Sequence, residues 1–225
     1  FLFLAAAGKR VSAADRQRIR ALAIPPAWDK VWICPRADGH LQATGFDARG
    51  RKQYRYHAQW HAVRSLGNFQ GLIAFARALP RIRRAVAREL RRPGLPRQKV
   101  VAAAIGILEH THIRVGNAEY AEENQSFGLS TLRDRHAVIQ GDTLHLRFRG
   151  KSGKFHHLHL DNRRLVRVVR HCRDLPGFDL FQYLDEAGHV RDLTSGHIND
   201  YLRALVGAGF TAKDFRTWAG TVGAA

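Results

Sequence analysis

The spacing of apolar positions changes near His57, and the change divides the chain. Before that point "DKVWICPR" predicts a strand, "ADGH" a turn and "LQATGFD" a second strand. "ARGR" follows as another turn and "KQYRYH" as a third strand. A short helix, "AADRQRIRALAI", precedes them and is closed by Pro25-Pro26, whose rings cannot continue it. Beyond His57, "WHAVRSLGNFQGLIAFARALPRIRRAVARELRR" places apolar residues three and four apart, the spacing of a helix with one buried face. Pro80 is expected to interrupt it. "RRPGLPRQ" reads as a loop, and "KVVAAAIGILEHTHIRVGNAEYAEEN" as one long helical stretch.

The period then returns to two. "HAVIQ" leads through Gly141-Asp142 into "TLHLRFRG", where Leu144, Leu146 and Phe148 share a face, and Lys151-Ser152-Gly153 turn the chain into "KFHHLHL". "RRLVRVVRHCRDL", "TSGHINDYLRALV" and "AKDFRTWAGTV" are again helical, and neither repeats nor low-complexity tracts occur. The expected fold class is α+β. A small β-rich N-terminal domain covers residues 1–66, and a larger, mainly α-helical domain with an inserted antiparallel β-sheet covers 67–225.

Composition sharpens this picture in one respect. Among 225 residues, 37 Lys and Arg face 19 Asp and Glu, a formal net charge of +18, with Arg well ahead of Lys. A field of that size favours a polyanionic partner, because it concentrates phosphates and releases their counterions. Nucleic acid is the leading candidate, with an anionic membrane surface or mere basicity as the plainer readings. The apolar runs "FLFLAAA" and "VVAAAIGIL" fall far short of the roughly 20 residues of a membrane span, so none is expected. Cys34 and Cys172 are far apart and form no CxxC pair, which favours two free thiols in a reducing cytoplasm. The chain contains no Met, even at position 1, so it is expected to be a fragment or to have modified methionines omitted.

Four stretches invite a chemical reading. "RFRGKSGKFHHLHL" contains Gly-Lys-Ser, but a nucleotide loop needs a Gly five residues before the Gly-Lys pair and a helix after it. Here the first position is His145, inside a strand, and a strand follows, so ATP is not the expected ligand. Lys151 remains on a hairpin tip among Arg147, Arg149 and Lys154, either as a solvated turn or as a phosphate contact. His157 and His159 share a strand face with His145 across from them, but no acid or thiolate stands at ligand spacing. No metal is therefore expected, and phosphate contact or simple exposure is the better account. "GRKQYRYH" combines Arg51, Lys52 and Arg55 with Gln53, Tyr54 and Tyr56, with Gln53 and Arg55 on one face and the tyrosines on the other. That is either a groove reader or a strand with core tyrosines. Arg114 in "HIRVGNAEY", on what reads as helix, and Arg216 in "KDFRTW" are cations among apolar residues. Each alone is commonly structural, but together with a hairpin Lys they suggest a phosphate clamp.

These motifs, in this order and at these separations, resemble the type IB DNA topoisomerases, specifically the small bacterial, poxvirus-like branch. The resemblance runs from "IPPAWDKVWICP" and "GHLQATGFDARGRKQYRYH" through "IRVGNAEYAEENQSFGLSTLRDRH", "FRGKSGKFH" and "AKDFRTWAGT". It implies relaxation of double-stranded DNA through a transient 3′-phosphotyrosyl link, with no ATP, metal or other cofactor. It implies that Arg114 and Arg216 clamp the transition state and that Lys151 protonates the leaving 5′ oxygen. Arg51, Lys52, Gln53, Tyr54 and Tyr56 then fall on the DNA-binding strand, and Tyr120 on a phosphate contact. A monomer in the cytoplasm, at the nucleoid, is the expected setting.

Three departures qualify the match. Ser152 stands where poxvirus relatives carry an acid, and Asn117 where they carry a basic residue. In the family a His and the nucleophilic Tyr follow the "RTW" segment, whereas this sequence stops at Ala225. The nucleophile is therefore expected to be absent from these 225 residues. "GHINDY" imitates the His-then-Tyr order, but it precedes Arg216 at the wrong spacing, and Tyr201 is expected to pack locally. The alternatives are a tyrosine recombinase, which uses a related residue set, and a non-catalytic DNA-binding fragment.

Overall fold

Three antiparallel strands form where the alternating pattern near the N-terminus predicts them: β1 (Asp29–Ile33), β2 (Leu41–Phe46) and β3 (Lys52–Tyr56), in the order β1-β2-β3. The computed structural model describes residues 11–207 and 209–224, and the side chains of all of these except 61, 62, 64–66 and 68–70. The apolar run "FLFLAAA" lies outside the described residues. The chain divides into two units, Phe1–Gln70 and Gly71–Ala225.

In the first unit, helix α1 (Ala13–Ala21) starts at Ser12, whose hydroxyl accepts the Asp15 N–H, and it buries Ile19. Ala43, at the centre of β2, is fully buried. The Gln42 side chain, also buried, donates to the carbonyls of Ala37 (3.0 Å) and Gly39 (2.6 Å) and accepts from Arg18 (2.9 Å). A buried amide needs such partners, and these fix the β1–β2 connection.

Helix α2 (Ala58–Glu89) is continuous through Pro80, which does not interrupt it as expected. Phe75, Leu79, Ile82 and Val86 form one buried stripe on both sides of the proline. Their burial outweighs the backbone hydrogen bond that the ring removes.

The second unit is built around α3 (Arg97–Thr111), which is buried continuously from Lys99 to Leu108. Gly106 lies against α5 (Arg163–Arg173) so closely that a Cβ there would come within 2.9 Å of Leu165 Cδ2. Lys99 is buried because its Nζ donates to the carbonyls of Arg92 (2.7 Å) and Gly94 (3.0 Å), closing the end of α2. The meander is present as β4 (Ala137–Gln140), β5 (Thr143–Arg149) and β6 (Phe155–Asp161), with Leu144, Leu146 and Phe148 buried on one face. Helices α6 (Ser195–Val206) and α7 (Ala212–Val222) pack their Ile198, Leu202 and Phe215 into the same core, where Phe215 meets Phe75 edge-on at 5.0 Å.

Two departures from the sequence expectation concern elements. The long helical stretch is broken: α3 ends at Thr111, a loop follows, and α4 covers Ala118–Asn124. His112 adopts a left-handed backbone (φ 53°), Gly116 has φ +97°, and Asn117 caps α4 by accepting the Tyr120 N–H. A small hairpin, β7 (Gln182–Leu184) with β8 (Val190–Asp192), lies between two helical segments, where the sequence pattern assigns no element.

Candidate functional site

The break after α3 puts Arg114 on a loop instead of a helix, and that loop is rigidly held. The carbonyl of Arg114 accepts the Leu129 N–H (2.8 Å), and that of Val115 accepts the Ser130 N–H (2.7 Å) and the Ser130 hydroxyl (2.9 Å). Gly128 lies backbone to backbone against it: a Cβ there would sit 2.5 Å from Gly116 N and 2.7 Å from Arg114 O. Only glycine fits that approach. Ile113 is buried, while Arg114 is exposed. The backbone is thus anchored and the guanidinium left free to meet a ligand.

The hairpin carrying Lys151 is tied to the same frame. Phe127, two residues before Leu129, donates its N–H to the Arg149 carbonyl (2.7 Å). The tip spans Lys151–Gly153, with Ser152 at φ 63° and Gly153 at φ +74°, and it closes through Gly150 N–H to Lys154 O (2.7 Å). A serine in the left-handed region is uncommon. Lys151 is exposed on this tip, and Arg149 folds back over Gly153, which has no side chain to obstruct it.

Arg216 joins from α7. Its guanidinium, partly buried, donates to the carbonyl of His112, which the left-handed turn at the end of α3 presents. Burial lowers its pKa, and so does the charge of Arg114, which places the two guanidiniums within each other's field. Among the described residues no carboxylate pairs with Arg114, Lys151 or Arg216. This differs from Arg83 with Glu109, Arg191 with Asp185, and Arg88 with Glu89. Arg114 and Arg216, without carboxylate partners among the described residues and one of them partly withdrawn from water, have the charge to receive an anion, and Lys151 stands on the hairpin bonded to the same frame.

The histidines divide by strand face. His145 and His159 are cross-strand partners and His157 faces Arg147, all on the outer face. Among the described residues no three His, Cys, Asp or Glu side chains are placed to hold a metal. His156, which the residue pattern did not single out, is on the other face. Its ring stacks on Phe148 (5.0 Å, 17°) and packs against Gly150, where a Cβ would come within 2.7 Å of its Nε2. Burial holds its pKa below the ordinary value, helped by the charges of Lys154, Arg216 and Arg114. The alternation of β6 could have revealed it, since 156, 158 and 160 share the inner face.

The "GHINDY" segment serves structure. His197 completes the cap of α6 with Thr194 and stands edge-on to Tyr183 (5.7 Å). The Tyr201 oxygen is buried, and burial together with the charge of Glu89 raises its pKa, opposite to what a nucleophile needs.

In the first unit, Asp47 organises the turn into β3. It accepts from Arg51 Nε (2.9 Å) and Gln53 Nε2 (2.9 Å), and the Arg51 hydrogen bond is the main reason its pKa falls to about 2. Tyr54 is about half exposed and stacks on Tyr56 (6.2 Å, 17°), Tyr56 stacks on Trp60 (6.4 Å, 23°), and Lys52 lies 5.9 Å above Tyr54. Trp32 and Tyr54 are both cross-strand partners of Thr44 and are both exposed, so the aromatic face extends to β1. The residue pattern of "DKVWICPR" alone does not single out Trp32. Tyr120, in the second unit, is exposed on the first turn of α4.

Residues 57–225 match the family profile described as "Eukaryotic DNA topoisomerase I, catalytic core", and residues 1–47 match "Bacterial DNA topoisomerase IB, N-terminal domain". DNA topoisomerase 1B of Acanthamoeba polyphaga mimivirus is 33% identical over 214 residues, 93% of this chain and 64% of the relative. DNA topoisomerase 1B of Vaccinia virus (strain Copenhagen) and DNA topoisomerase I of Monkeypox virus are each 26% identical over 122 residues, 53% of this chain and 39% of the relative. The chain therefore spans less than two thirds of the length of these relatives. With the catalytic-core profile matched over residues 57–225, the chain belongs to the type IB DNA topoisomerase family.

Proposed function

We propose that the chain carries the DNA-cleaving centre of a topoisomerase that relaxes double-stranded DNA without ATP or a metal ion. The observation behind this reading is the set Arg114, Lys151 and Arg216, held by one hydrogen-bonded frame and lacking carboxylate partners among the described residues. A tyrosine oxygen other than that of Tyr201 attacks phosphorus, the P–O5′ bond breaks, and the 3′ end remains as a phosphotyrosine. Negative charge grows on the non-bridging oxygens in the pentacoordinate transition state. Arg114 and Arg216 stabilise that charge more than they stabilise the ground state. Lys151 gives its proton to the departing 5′ oxygen and recovers it when the hydroxyl attacks back. The covalent link retains the energy of the phosphodiester, so no nucleotide is consumed, and the guanidiniums supply the charge a divalent ion would otherwise bring.

In this reading β3, with Arg51, Lys52, Gln53, Tyr54 and Tyr56, contacts the duplex groove, and Tyr120 contacts a phosphate. The mixture of basic, amide and aromatic groups suits such contacts. The bacterial-type N-terminal match supports a topoisomerase over a recombinase, and with the net charge of +18 it supports a setting on bacterial nucleoid DNA in the cytoplasm. The protein is proposed to act as a monomer, which light scattering checks.

The test is incubation of the complete protein with supercoiled plasmid in EDTA without ATP. Relaxation is expected. A folded preparation that binds the plasmid and leaves its supercoils intact overturns the reading, and joining of separate duplexes points to recombination.

A further inference from the structure

We propose that His156 is a further ligand of the phosphate held by Arg114 and Arg216, donating an imidazole N–H to one of its oxygens. The inference rests on the reading of this site as a phosphate clamp and adds a residue to it.

Three observations support it. First, position: His156 is on the inner face of β6, within the fields of Arg216 and Arg114, and its ring edge touches Gly150, directly before Lys151. Second, preorganisation: stacking on Phe148 and the missing side chain at Gly150 hold the ring in one plane, so no rotamer freedom is lost when a ligand arrives. Third, lack of a protein partner: among the described residues none hydrogen-bonds either imidazole nitrogen, although the side chain is half-buried. Polar groups in such surroundings ordinarily have partners.

The charged groups around the ring are Lys154, Arg114 and Arg216, all cationic, so the imidazole is neutral at pH 7 and keeps one N–H. A fourth positive charge would oppose the arginines before DNA arrives. A neutral donor adds a hydrogen bond without that repulsion, and it has a fixed direction that the exposed Lys151 lacks.

The experiment uses the 225-residue chain and sulfate, a tetrahedral dianion that keeps its charge over the working range. Binding is followed by calorimetry and by the imidazole nitrogen resonances. His156→Phe retains a ring for the Phe148 stack and removes the donor, while His156→Gln restores an N–H. The Phe variant is expected to weaken sulfate binding roughly tenfold, about one hydrogen bond to an anion, and the Gln variant to stay within about threefold of the parent. In the parent, the His156 nitrogen signal should move with sulfate. If His156→Phe binds like the parent while Arg114→Ala loses affinity, the clamp stands and His156 is not part of it. If the Gln variant is as weak as the Phe variant and the His156 signal does not respond, the ring acts only as packing and the proposal fails. Unchanged binding in Arg114→Ala and Arg216→Ala overturns the clamp itself, and His156 with it.

Discussion

The tasks proposed for Lys151, Arg114 and Arg216 differ, and single substitutions should separate them. In the complete protein, Lys151→Ala is expected to slow cleavage about a hundred- to ten-thousandfold. A 5′-phosphorothiolate substrate, whose leaving group needs no proton, should be nearly spared. Equal slowing of both substrates removes Lys151 from the acid role. Arg216→Ala should reduce the cleavage rate roughly a hundred- to a thousandfold on either substrate, since it acts on phosphate charge. Gly128→Ala would drive a methyl into Gly116 and the Arg114 carbonyl. It is expected to destabilise the second unit by about 1–3 kcal/mol in a denaturant titration and to misplace Arg114. The two thiols should also differ. Burial raises the Cys172 thiol to about 12, and its Sγ donates to the Gln182 carbonyl, so a thiol reagent should reach it only on unfolding. Cys34 is half-exposed and should react in the native protein.

At the scale of elements, the site depends on where helices stop. The end of α3 at His112 frees a carbonyl for Arg216, and the cap of α4 at Asn117 fixes the other end of the Arg114 loop. Asn117→Ala should destabilise the protein by about 1 kcal/mol through the lost cap. The turn into β3 depends on Asp47, whose folded pKa of about 2 lies below its ordinary value of 3.8. A depressed carboxylate adds stability above its unfolded pKa and loses it as pH falls through the folded one. Stability of the first unit should therefore decline between about pH 4 and pH 2, and Asp47→Asn should flatten that limb in a pH series of thermal melts. An unchanged slope would mean that the Arg51 and Gln53 contacts carry no linkage.

For the whole molecule, the net charge of +18 predicts that binding to the proposed DNA partner falls steeply with salt. With six to ten phosphate contacts, affinity should drop roughly 10³- to 10⁵-fold between about 50 and 200 mM salt. Arg114→Ala should reduce the log–log slope by about one. A slope unchanged by that substitution would place Arg114 away from the backbone in the bound complex.

Periodicity sufficed to place the helices that bury a stripe and β5, whose alternate residues are buried, while β1 and β3 were legible from their β-branched and aromatic residues and the turns between them. Net charge and the ordered motifs suggest a phosphate partner and point to Arg114, Lys151 and Arg216 as the residues to test. Local pattern failed wherever distant packing decides the outcome. Pro80 sits inside a helix because Phe75, Leu79, Ile82 and Val86 keep their burial across it. Arg114 left its helix because His112 turned left-handed and Gly128 packed against Gly116. Trp32 emerged once strand pairing placed it beside Tyr54 across Thr44, whereas the alternation of β6 already put His156 on the inner face. The sequence by itself determined which chemical groups are available, their charge and the family they belong to. Packing set the meeting of α7 with the Arg114 loop through His112, and the place of the His156 ring against Gly150, directly before Lys151. Those contacts join residues as far as 104 positions apart, and their geometry comes from the packing between elements instead of from the propensity of any one of them.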